Sequence, residues 1–217
     1  MPEPLTELRG RVAAASRRLA AEGLVLGTAG NVSAREDDLV AISPTGAALA
    51  QLAAADVAVV DLGGGRVAGA LAPTSELDLH LGIYARYGAG AVVHTHAPTA
   101  TALSCVLDEL PCVHYGMLAL GGTVRVAPYR TFGTPELAAV TLDALEGRTA
   151  ALMANHGAVA HAGDVEAAVE ASLLLEWACT VYWRAAAVGT PRTLDGDDLA
   201  AVETAAAQRG YGPLSRG

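Results

Sequence analysis

The sequence predicts an α/β fold: one domain, residues 1–217, in which a mostly antiparallel central sheet carries helices on both faces. Three observations lead there. Strand-like and helix-like segments are mixed along the chain without the strict alternation that builds a parallel sheet. No repeat, low-complexity tract or long linker divides the 217 residues, a length that supports one substantial core. The chain is also very rich in alanine, which suits helical surface and tight packing.

The elements follow in order. Leu5, Leu8, Val12, Ala15 and Leu19 recur at helical spacing, which predicts an amphipathic helix over 4–22 ended by Gly23. "GTAGNVSAR" reads as a Gly-rich turn entering a strand, and "DLVAISPTG" as a second strand closed by a Pro-Thr-Gly turn. "DVAVVDLGGGRVAG" reads as two strands around a Gly-rich hairpin. "APTSELDLHLGIYARYG" is a helix capped by Thr74 or Ser75, and the strand "AVVHTH" follows it. "PTATALSCVL" is a short helix and "VRVAPY" a strand. Thr134 caps the next helix, with Pro135 at its first position. "AALMANHGAVAHA" is a strand pair bent at Asn155–Gly157. Asp164 opens the longest helix, and a last helix over "DGDDLAAVETAAAQRG" precedes the tail "YGPLSRG".

Composition excludes several classes of function. The chain is 52% hydrophobic and 17% charged, yet no run approaches the roughly 18 uncharged apolar residues of a membrane span. The first residues mix acids with bases and resemble neither a signal nor a transit peptide. Against 23 acidic residues stand only 14 Lys and Arg, for a net charge of -9, which argues against a nucleic-acid partner. A small anion can still be held by backbone amides or a metal. The three cysteines, Cys105, Cys112 and Cys179, form no CxxC pair and are odd in number, so a reducing cytoplasm is the expected compartment.

The chemistry centres on "AVVHTHAPTA". Side chains two apart on a strand project to one face, so His94 and His96 can present two imidazoles to one point. A pair alone does not separate a metal site from a polar core. His156, followed by Gly157 in the bend of "MANHGAVA", is a third candidate. Glu76, in the first turn of the helix leading into the His94 strand, is a fourth, although a glutamate there also complements the helix dipole. Three imidazoles and one movable carboxylate form a plausible zinc set. "GTAGN" (Gly27 to Asn31), "SPTG" (Ser43 to Gly46) and the amides at Thr74 and Ser75 could together cradle a phosphate. His80, one turn after Glu76, reads as a packing histidine that could also support the site. His114 and His161 have no evident partner. Tyr129 and Phe132 read as packing residues.

Taken in order, "GTAGNVSAR", "ISPTG", "PTSE", "AVVHTHAPTATALS", "APYRTFGT" and "NHGAVA" resemble the class II aldolase/adducin family, and more narrowly its fuculose-phosphate aldolase type. The resemblance runs from about Leu5 to Tyr211. It implies an antiparallel sheet flanked by helices, assembled as a homotetramer with active sites between subunits. It implies zinc on His94, His96 and His156, with Glu76 as the resting fourth ligand and the acid/base in turnover. Gly30, Asn31, Thr45, Gly46, Thr74 and Ser75 fall at phosphate-binding positions. Tyr115 and Tyr211 fall where tyrosines act from a neighbouring subunit. The implied reaction cleaves a ketose 1-phosphate, similar to L-fuculose 1-phosphate, into dihydroxyacetone phosphate and an aldehyde through an enediolate. Pentulose-phosphate 4-epimerases of the same family generally carry aspartate where Glu76 stands and lack a tyrosine at the Tyr115 position. A methylthioribulose-phosphate dehydratase shares the histidines, and an adducin-like binding module would have lost them.

Overall fold

The computed structural model describes residues 3–211, so the expected tail beyond Tyr211 lies outside the described residues. The chain begins with helix α1 (Glu3–Ala21), followed by strands β1 (Asn31–Glu36), β2 (Leu39–Ile42), β3 (Ala58–Asp61) and β4 (Arg66–Ala68). Helix α2 (Leu77–Tyr87), strand β5 (Ala91–Thr95) and helix α3 (Pro98–Ser104) come next. Strands β6 (Glu109–Leu110) and β7 (Val124–Ala127), helix α4 (Pro135–Ala144), strands β8 (Ala150–Met153) and β9 (Gly157–Ala162), and helices α5 (Val165–Val188) and α6 (Gly196–Gln208) complete it.

The nine strands form one sheet in the order β4-β3-β2-β1-β5-β9-β8-β7-β6. Every pairing is antiparallel except β7 with β8, which is parallel. The expected architecture therefore holds. Strand alternation divides the core into two layers. Ala91 and Val93 of β5 pack with Leu8, Val12 and Leu19 of α1 and Val169 and Leu175 of α5 on one face. Val92 packs with Leu79 and Ile83 of α2 and Leu137 of α4 on the other. Burying such aliphatic side chains stabilises by about 1.5–3 kcal/mol each. His94 shares the face of Val92, so the sheet turns its imidazole toward α2.

Local chemistry explains the helix starts. Thr134 accepts a hydrogen bond from the Leu137 amide, and Asp164 from that of Ala167, as N-caps do. The start of α2 differs from expectation. Neither Thr74 nor Ser75 is its cap; Glu76 is the N-cap residue and makes no side-chain capping bond. Thr74 Oγ1 instead accepts from the Glu76 amide at 3.3 Å, which leaves the Glu76 carboxylate free to point elsewhere. The β8–β9 turn is also built differently. Its left-handed residue is Asn155, with φ 55, a conformation asparagine tolerates better than most. Gly157 is required for space, because a Cβ there would lie 2.2 Å from the Thr95 carbonyl oxygen. Strand β6 and the 3-10 turns at Leu49–Gln51 and Tyr115–Leu120 carry no periodic signal and were not expected. Among the described residues no helix is long and apolar enough to cross a membrane.

Candidate metal centre and adjoining cavity

Pairing of β1 with β5 sets Asn31 directly opposite His94, and pairing of β5 with β9 brings the β8–β9 turn alongside. His94 is fully buried within β5, His96 follows that strand's last residue, and His156 stands in the turn before β9. Their ring nitrogens gather within 4.8 Å of one another. Each pair of rings meets edge-on at 4.8–4.9 Å between centroids. Glu76 completes the group: Oε2 lies 3.1 Å from His94 Nε2, and Oε1 lies 3.4 Å from His156 Nε2.

Donor chemistry and spacing both fit a metal ion. His94 Nδ1 donates to the Ala158 carbonyl at 2.8 Å, which fixes the tautomer and turns the Nε2 lone pair inward. His94 Nε2 and His96 Nε2 are 3.0 Å apart. Tetrahedral ligand atoms at about 2.0–2.1 Å from zinc stand roughly 3.3–3.4 Å from one another. The observed separations of 3.0, 3.1 and 3.4 Å bracket that value. Glu76 Oε1 is a buried oxygen with no hydrogen-bond partner among the described residues, which is costly unless another ligand satisfies it. These four residues would hold the ion.

The electrostatics agree. Burial, with the neighbouring His94 and His156 rings, pushes His96 down to about 4. Burial and His94 likewise push His156 down to about 4. Both rings are therefore neutral near pH 7, as metal ligands must be. For Glu76, burial raises the pKa, but His94, the hydrogen bond from Asn31 and His156 outweigh it, so the carboxyl lies below its usual range.

A pH prediction follows for the metal-free protein. The folded chain keeps His96 and His156 unprotonated down to about 4, whereas in the unfolded chain they take up protons near the usual 6.5. The unfolded state then binds more protons across that window, so stability is lost as pH falls through it. The Tm of the chelator-treated protein should decline from pH 6.5 to 4. A Tm that is level across this range counts against a neutral cluster.

A cavity of about 290 Å³ opens beside the four residues and is lined by His96, His156 and Glu76. Every expected phosphate position reaches it: Gly30 just before β1 and Asn31 at its start, Thr45 and Gly46 after β2, and Thr74 and Ser75 before α2. The hydrogen bonds revise how they can act. The Thr45 amide donates to Ala72 O and the Thr74 amide to Ser43 O, so these two residues offer the cavity hydroxyls and not free amides. Tyr129, Arg130 and Phe132 also line it. Their role was not legible in the sequence, because an exposed aromatic in a loop has no periodicity to reveal what it faces. Tyr115 and Tyr211 are 52% and 66% exposed and do not line the cavity of their own chain. His114 packs against Tyr115 and Trp177, and His161 stacks on Tyr87, so both have partners outside this site.

A nine-stranded sheet of this order thus carries three histidines and a glutamate gathered at the end of β5. The chain belongs to the class II aldolase and adducin N-terminal domain family, which matches residues 10–183. It is 37% identical over 198 residues to 5-deoxy-D-ribulose 1-phosphate aldolase of Bacillus thuringiensis serovar kurstaki, covering 90% of this chain and 93% of that protein. It is 38% identical to 5-methylthioribulose-1-phosphate/5-deoxyribulose-1-phosphate aldolase of Rhodospirillum rubrum, covering 92% of this chain and 90% of that one. Among solved structures it is similar to an L-fuculose 1-phosphate aldolase, with TM-score 0.87, 33% identity and coverage of 90% and 93% of the two chains.

Proposed function

We propose that this protein is a zinc-dependent aldolase that splits a ketose 1-phosphate between its third and fourth carbons into dihydroxyacetone phosphate and an aldehyde. The observation that carries this reading is the convergence of three imidazoles and one carboxylate beside a cavity lined by anion-compatible hydroxyls. Zinc, when bound, supplies Lewis-acid stabilisation of the negative charge that develops on the substrate oxygens. His94, His96 and His156 hold the site. Glu76 returns a proton to the third carbon in the cleavage direction, a task suited to a buried carboxylate with one oxygen unbonded among the described residues. Gly30, Asn31, Thr45, Gly46, Thr74 and Ser75 grip the phosphate, which anchors the substrate while its other end reacts.

Relatives named for 5-deoxyribulose, 5-methylthioribulose and fuculose phosphates share a ketose 1-phosphate with a deoxygenated or thioether far end. Tyr129 and Phe132, both exposed into the same cavity, give such an end apolar contact. The working assembly is a homotetramer in which Tyr115 and Tyr211 act in a neighbouring subunit's site, Tyr115 at the aldehyde oxygen. A cleavage assay with 5-deoxyribulose, fuculose and ribulose 1-phosphates tests the substrate class. Mixed tetramers of Glu76→Gln and Tyr115→Phe chains, each inactive alone, should recover activity if the sites are shared. Failure of all three ketose phosphates to react with the zinc-loaded protein would overturn the aldolase reading.

The phosphate grip has its own test. Loss of a hydrogen bond to a charged group costs about 1.5–3 kcal/mol, or roughly ten- to hundredfold in affinity. Thr45→Ala removes a hydroxyl but no amide bond of the turn, so KM should rise by about that factor with zinc content unchanged. An unaltered KM would remove Thr45 from the pocket.

A further inference from the structure

Behind Glu76 runs a buried chain of hydrogen bonds that the metal cluster does not account for. Asn31 Nδ2 lies 2.9 Å from Glu76 Oε2, and Asn31 Oδ1 lies 2.5 Å from His80 Nε2. His80 Nδ1 lies 2.7 Å from Ser33 Oγ, which lies 2.5 Å from the Tyr84 hydroxyl. The ladder has a simple origin. Glu76, His80 and Tyr84 are spaced by four at the start and along one face of α2, repeating about every 6 Å. Asn31 and Ser33 are spaced by two on β1, repeating about every 6.6–6.8 Å. The two periods nearly match, so each helix residue meets a strand residue.

The donors in this chain can be assigned one by one. A carboxylate only accepts, so Asn31 must present its NH2 to Glu76. Its carbonyl oxygen then faces His80 and also only accepts. His80 Nε2 must therefore donate. Burial pushes His80 down to about 3 against the opposing influence of Glu76, so the ring carries a single proton near neutral pH. Its Nδ1 must then accept, and Ser33 donates to it. The Ser33 lone pair takes the Tyr84 proton. Every donor points toward Glu76.

We propose that His80 is a positioning residue: with its proton on Nε2 it locks the Asn31 amide so that Nδ2 addresses both Glu76 and the cavity. A flipped amide would set an oxygen against the carboxylate and leave the His80 N–H facing an NH2 group. With the lock in place, one Asn31 N–H steadies Glu76 and the other is left for substrate in the cavity that Asn31 helps to line. His80 is fully buried with both ring nitrogens engaged, so its ring cannot turn without breaking the chain of hydrogen bonds.

Imidazole 15N NMR on the wild-type protein tests the tautomer, with and without zinc, the His80 signal being assigned by its loss in His80→Gln. The Nε2–H tautomer should persist from pH 5 to 8. An Nδ1–H tautomer or a protonated ring would overturn the proposal. His80→Phe fills the space without the donor, and kcat should fall about ten- to hundredfold, with zinc held more weakly in chelator competition. His80→Gln, which restores an N–H donor, should recover much of both. Wild-type kcat and zinc affinity in His80→Phe would sink the idea. The kinetic arm rests on the aldolase reading; the tautomer and zinc arms need no substrate, and the tautomer decides alone if His80→Phe does not fold.

Discussion

Replacing His96 with Ala is expected to leave a folded protein with little zinc and at least about a thousandfold less cleavage activity. The magnitude comes from the several kcal/mol that a Lewis acid contributes to stabilising developing charge, at 1.36 kcal/mol per factor of ten. His96 is the cleanest of the three histidines for this purpose. His94 is fully buried in β5 and donates to the Ala158 carbonyl, so His94→Ala also removes a buried hydrogen bond between β5 and β9. His96 follows the last residue of β5, and among the described residues no backbone carbonyl accepts a hydrogen bond from its ring. Metal analysis by mass spectrometry should read about one zinc per wild-type chain and a small fraction of that in the variant. Circular dichroism checks the fold. Full zinc occupancy in His96→Ala would dismantle the site.

The second large effect separates the proton-transfer step from carbon–carbon cleavage. Glu76→Gln should reduce cleavage by about a hundredfold to ten-thousandfold, the usual contribution of a general acid or base. The substitution is nearly isosteric. Its carbonyl oxygen can still accept the Asn31 hydrogen bond, and three histidines remain for zinc. What disappears is a group able to take up and release a proton near neutral pH. Exchange of the carbon-bound proton of dihydroxyacetone phosphate with solvent should therefore vanish in Glu76→Gln. Tyr115→Phe should keep that exchange while losing most cleavage, since Tyr115 is assigned to the aldehyde oxygen. Deuterium incorporation followed by NMR, run beside a cleavage assay, measures both. Wild-type exchange in Glu76→Gln, or loss of both activities together in Tyr115→Phe, would reverse the assignment of roles.

Several features were legible in the sequence because they depend on neighbours close in the chain. The 3.6-residue period of Leu8, Val12, Ala15 and Leu19 gave α1, and all four side chains are buried. The i, i+2 spacing of His94 and His96 gave two imidazoles near one point, because a strand alternates faces whatever it pairs with. Thr134 and Asp164 announced the helices they cap. Other features depend on which strand lies beside which, and no local pattern encodes that. Only the placement of β1 next to β5 sets Asn31 opposite His94, and only the packing of α2 over β1 turns His80 from an isolated histidine into Asn31's partner. The loop bearing Tyr129, Arg130 and Phe132 joins the cavity through contacts with segments far away in sequence. Even the β8–β9 bend was only half legible. The glycine was visible, but its need was decided by the Thr95 carbonyl of the adjacent strand, while Asn155 took the left-handed turn. Periodicity and capping act over a few residues and are written into the chain; strand order and close approach arise from burial of both sheet faces at once, and only the folded structure shows them.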